Sequence, residues 1–98
     1  MNGIEIPQHI IEKGRSIVGD LKTRYEASVE ERYGDTFILT FQDIKILVDL
    51  DDEGIYIRAT QYCDLHKGHP VFFRTYLEES ERYEDLPVHH EIAKRMKK

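Results

Sequence analysis

The chain has 98 residues, 19 of them acidic and 14 basic, for a formal net charge of −5. A chain of this length carries one domain, residues 1–98, with a modest core, and its acidic balance argues against a non-specific grip on nucleic-acid phosphates. The lone Cys63 excludes an internal disulfide, no apolar run approaches the roughly eighteen residues of a membrane span, and the opening MNGIEIPQH lacks a basic segment followed by an apolar one, so a cytoplasmic protein is expected.

Residues 7–33 show helical spacing. Ile10, Ile17, Leu21, Tyr25 and Ser28, with Ile11, Val18 and Val29 beside them, recur at three- and four-residue intervals. Pro7 suits a first helical position and Gly34 the residue just past the end. Gly14 lies on the apolar stripe, where it allows close approach, and Gly19 lies off it, where it marks a bend. A helix of this extent is about 40 Å long, against about 20 Å for a six-residue strand. Its first turns therefore overhang any sheet it covers, so either the helix breaks near Gly19 or Ile10 and Ile11 are covered by another part of the chain or by a second copy, and the second copy is the reason a homodimer is expected.

Residues 35–62 organise everything else. Phe37, Leu39 and Phe41 alternate with polar or outward positions, then Ile44, Ile46, Val48 and Leu50, then Ile55, Ile57 and Ala59. Period-two alternation puts each set on one sheet face, which predicts a three-stranded antiparallel meander. A one-residue slip would exchange the faces, so apolar must meet apolar in both hairpins. Closing the first on Phe41 and Ile44 pairs Leu39 with Ile46 and Phe37 with Val48. Closing the second on Leu50 and Ile55 pairs Val48 with Ile57 and Ile46 with Ala59. The Asp51-Asp52 pair is explained by turn chemistry, with Gly54 taking a positive φ.

Residues 63–70 are a loop by composition, and residues 71–77 read as a fourth strand with Val71, Phe73 and Thr75 turned inward. The charged residues 78–85 end that strand and cross to a short helix, 86–96, spaced on Val88, Ile92 and Met96 and finished by Lys94, Arg95, Lys97 and Lys98. The predicted fold is thus α+β with two layers: a long N-terminal helix and a short C-terminal helix on a four-stranded antiparallel meander, α-β-β-β-β-α.

Two groups of residues could carry function. Cys63, His66 and His69 are metal-ligand types within a short loop, with Asp64, His89, His90 and Glu91 as further donors, and they define a metal site or a thiol nucleophile with an imidazole base. Their spacing is not that of a zinc signature, since the second pair is the adjacent His89-His90, and a polar turn with a partly buried cysteine and solvated histidines is the simpler explanation. The other group is the outer sheet face, which on this register carries Ile38, Lys45, Leu47, Tyr56, Arg58, Tyr62, Phe72, Arg74 and Tyr76. Aromatic, aliphatic and arginine side chains on a solvent-facing sheet suit a protein-binding surface, unless a helix crosses them and makes a second core layer. The binding residues expected are Tyr56, Arg58, Tyr62, Phe72, Arg74 and Tyr76. The expected function is a small non-enzymatic interaction or regulatory module, homodimeric and without cofactor. The alternatives are a metal or thiol enzyme at Cys63, His66 and His69, or a single-stranded nucleic-acid binder using the outer face.

Overall fold

The computed structural model describes residues 5–78, 81–83 and 87–96. Within them the order is α1 (Gln8–Tyr25), β1 (Ser28–Arg32), β2 (Thr36–Phe41), β3 (Ile44–Leu50), β4 (Gly54–Gln61), β5 (Val71–Glu78) and α2 (Val88–Arg95). The strands pair antiparallel in sequence order as one sheet. The α+β arrangement is as expected, but the sheet has five strands rather than four.

The extra strand comes from the far end of the predicted long helix. Glu26 adopts the left-handed conformation at φ 53° and closes α1, with the Ala27 N–H donating to the Lys22 carbonyl. Ser28–Arg32 then pairs with β2, so Ser28 and Val29 belong to a strand and not to the helical stripe. Gly34 caps no helix. Tyr33 and Gly34 both have positive φ, 59° and 75°, which is the backbone required to turn β1 into β2. An 18-residue helix is about 27 Å long, so the overhang that called for a second copy does not arise. The helix runs through Gly19 without a break.

The predicted register is observed throughout the meander. Leu39 pairs with Ile46, Phe37 with Val48, Val48 with Ile57 and Ile46 with Ala59. Burial alternates along β2 and β3, with Leu39, Ile46, Val48 and Ile57 fully inside. Ile10, Ile17 and Leu21 of α1 and Val88 and Ile92 of α2 join the same core cluster, so both helices cover this one inner face. Each large side chain buried there contributes about 1.5–3 kcal/mol before entropy is subtracted. Gly14 lets helix and sheet come close, since a Cβ there would lie 2.4 Å from Leu50 Cδ2.

Gly54 works differently from expectation. Its φ is not positive, and it opens β4 opposite Glu78. A Cβ on it would stand 2.5 Å from the Leu77 carbonyl oxygen and 3.0 Å from the Tyr76 ring, so glycine is required for the close approach of β5. Phe73 and Thr75 lie opposite Ala59 and Ile57, as the inward row predicts, but Val71 does not: a bulge at the Ala59–Thr60 step places it opposite Thr60 and leaves it 45% exposed. The C-terminal helix begins at Val88 and buries Val88 and Ile92 as expected. Leu86, Lys97, Lys98 and part of the charged crossing 78–85 lie outside the described residues.

Candidate functional site

Since both helices pack on the inner rows, the opposite side of the sheet carries no helix among the described residues. Strand pairing arranges it as cross-strand rows. The central row reads Glu30, Ile38, Leu47, Arg58, Arg74, and the next reads Arg32, Thr36, Asp49, Tyr56, Tyr76. On the other side of the central row stand Thr40, Lys45 and Thr60. Arg58 therefore faces Leu47 on one neighbour and Arg74 on the other.

The row containing the tyrosines is internally bonded. Thr36 Oγ1 donates to Asp49 Oδ1 at 3.0 Å, and Glu30 receives the Arg32 Nε at 2.6 Å. Tyr76 reaches across Gly54 and donates its hydroxyl to Asp51 Oδ1 at 2.7 Å, where the backbone N–H groups of Glu53 and Gly54 also donate at 2.8 Å. Although partial burial opposes it, these three donors hold the Asp51 carboxyl below its ordinary value. Partial burial and then the carboxylate push the Tyr76 hydroxyl up to about 12.

The cations in and beside the central row are not bonded in this way. Among the described residues Lys45, Arg58 and Arg74 have no acidic partner, and Arg58 Nε is buried without any acceptor. A buried N–H without a partner costs about 1–3 kcal/mol. Two guanidiniums directly opposite each other add repulsion.

Two residues expected on this face leave it. Phe72 falls at the β5 bulge, packs against the core cluster and lies under the Arg95 guanidinium of α2 at 4.3 Å. Tyr62 turns into the following loop, edge-on to His69 at 5.4 Å. With Gln61, Cys63 and Arg95 they line an open cavity of about 550 Å³. Tyr56, Arg58, Arg74 and Tyr76 remain as the outer-face set.

The Cys63 loop does not assemble a metal set. Its backbone closes as a bridge between Cys63 and Gly68, Lys67 takes a positive φ of 53°, and His66 is exposed while His69 lies against Tyr62. Among the described residues no three His, Cys, Asp or Glu side chains gather to hold a metal. No hydrogen bond joins Cys63 to either imidazole, so the arrangement a thiol nucleophile needs is missing as well.

The histidine that the fold does use is His89. The Tyr83 hydroxyl donates to Asp20 Oδ2 at 3.2 Å, so its oxygen is left to accept from His89 Nε2–H at 2.9 Å. Nδ1 then accepts from the Tyr25 hydroxyl at 2.7 Å, and Tyr25 stacks on Phe41 at 4.7 Å. Burial first, and Arg24 second, lower the His89 pKa against the pull of Asp20. Burial raises those of Tyr25 and Tyr83. Ser16, Asp20, Arg24, Tyr83 and His89 line a cavity of about 270 Å³, but both imidazole nitrogens are already committed. The cluster ties α1 to α2 and leaves His89 no lone pair for a metal. Its neighbour His90 is exposed, and Glu91 is held by Arg95 at 3.0 Å. Nothing in the spacing of Asp20, Tyr25, Tyr83 and His89 announces this network; the available signal was a tyrosine, Tyr83, inside a charged tract.

No protein family, curated protein or solved structure matches this chain.

Proposed function

We propose that the protein is a non-enzymatic module that works by binding another protein through the outer face of its sheet. The observation that supports this most directly is Arg58. It stands on an open face beside Leu47, Tyr56 and Arg74, opposite a second guanidinium and with no acceptor for its side chain among the described residues. A cation left unpaired on an open face and set against another cation is explained when a partner supplies the counter-charge, and arginine and tyrosine beside aliphatic side chains are the composition of binding hot spots. The single unpaired cysteine suits a reducing, cytoplasmic setting. A homodimer, now without an overhanging helix to motivate it, is tested by sedimentation at micromolar concentration.

The direct experiment is photo-crosslinking in cells. Benzoylphenylalanine at Tyr56 is expected to capture a protein partner, whereas at Lys22, on the exposed side of α1, it captures none. Equal capture at both positions, or capture at neither, would overturn the proposal.

A further inference from the structure

We infer that the partner presents an acidic segment, with carboxylates seated on Arg58 and Arg74, within reach of Lys45, and an apolar side chain on Ile38 and Leu47. This rests on the outer face being a docking surface and adds the chemistry of what docks there. The chain is rich in acids, and six of its cations elsewhere have found them: Arg15 with Glu31, Arg24 with Asp20, Arg32 with Glu30, Lys67 with Asp64, and Lys94 and Arg95 with Glu91. Against that background, Lys45, Arg58 and Arg74 stand on one open face with no acid bonded to any of them among the described residues, while Glu30 on the same face is taken by Arg32 and Asp49 accepts from Thr36, so the three cations outnumber the acids left to them on a negative molecule. Their complement is negative charge brought from outside.

The geometry narrows the ligand. Arg58 and Arg74 are directly opposite on neighbouring strands, so their Cβ atoms stand about 4.5–5.5 Å apart. A carboxylate between them relieves their mutual repulsion and accepts from the terminal N–H groups of the two guanidiniums. Across the same row, Ile38 to Arg74 spans three strand spacings, about 14 Å, the reach of a four- or five-residue extended segment. One short stretch of a partner can therefore touch the aliphatic and the cationic parts together. A nucleic-acid strand fits less well, because the tyrosine row is bordered by the Asp49 and Asp51 carboxylates, where a phosphate backbone would have to pass. A second copy of this chain would bring the same three cations to the face.

The test is an amide chemical-shift titration of the labelled protein with three probes: a short capped peptide of alternating Leu and Glu, its Leu–Gln counterpart, and a short oligothymidylate. The expected result is that the Leu–Glu peptide shifts the amides of Leu47, Arg58 and Arg74, binds about tenfold more tightly than the Leu–Gln peptide, and loses that advantage in R58Q/R74Q and in high salt. R74Q alone, at an exposed position, serves should the double variant not fold. If both peptides bind the face equally, the acidic-segment inference fails while the docking face stands. Tighter binding of oligothymidylate overturns both in favour of nucleic acid. If no probe moves outer-face amides, the inference fails, and the crosslinking at Tyr56 decides separately whether the docking face survives.

Discussion

The two faces of one sheet in this protein obey opposite rules, although their residues alternate along the same strands. On the inner face Leu39, Ile46, Val48 and Ile57 are sealed under two helices, and no polar or charged residue among those described is buried. On the outer face Leu47 and Ile38 share a row with two arginines that are unpaired among the described residues, one of which hides a donor with no acceptor there. The inner face is satisfied by folding and the outer face is not. Stability and binding should therefore separate cleanly between them, and this separation can be broken by experiment.

The largest effect is expected at the centre of the core. Ile57→Ala should cost about 2–5 kcal/mol in urea denaturation, while Leu47→Ala, one strand away on the other face, should cost about 1 kcal/mol or less. Similar losses at both would show that the outer face is itself covered. Next comes Gly54→Ala, at about 1–3 kcal/mol, because its methyl meets the backbone oxygen of Leu77 and no flexible side chain can yield in its place.

Acid should act on the inner side through the His89 latch. Its folded pKa lies below the ordinary 6.5, so the stability it contributes is complete above pH 6.5 and is lost as pH falls through the folded value. Thermal melts between pH 7 and pH 5 are expected to fall less steeply in His89→Gln than in the parent, since Asp20, Arg24, Tyr25 and Tyr83 remain while the titrating group is gone. Asp51 adds a second loss only below its ordinary 3.8. At the other extreme, the neutral Tyr76 contributes stability below pH 10 that is lost between 10 and about 12, and Tyr76→Phe should remove that alkaline decline.

The smallest stability effect is expected at Arg58. Replacing it with Met removes an unpartnered buried N–H and one of two facing charges, so the midpoint of unfolding should stay within about 0.5 kcal/mol of the parent or rise. Combined with loss of binding in the peptide titration, that outcome would mark a residue kept for a partner at no benefit to the fold. A clear loss of stability in Arg58→Met would instead make the arginine a structural member of the sheet and dissolve the contrast between the faces.

The meander was legible because its evidence is local. Phe37, Leu39, Ile46, Val48 and Ile57 each carry their orientation in the parity of their position, and apolar-to-apolar matching leaves one register for two hairpins. The boundary of α1 was not legible, because Ser28 and Val29 satisfy helical spacing as well as they satisfy a strand. What separates the readings is a left-handed residue at Glu26, a conformation that glutamate does not advertise. Phe72 was misplaced for a similar reason: parity holds along a strand only until a bulge inserts a residue, and β5 bulges at that point.

What the sequence by itself determined, then, is which residues of the central strands face each other and which side of the sheet is apolar, since both follow from period-two alternation between near neighbours. Only the tertiary structure decided that both helices choose the same side, that Phe72 and Tyr62 withdraw from the other, and that His89 is bound between Tyr25 and Tyr83. Those outcomes depend on contacts between segments far apart along the chain, where one packing wins by burying more surface and satisfying more donors than its rivals, and no local pattern records that contest.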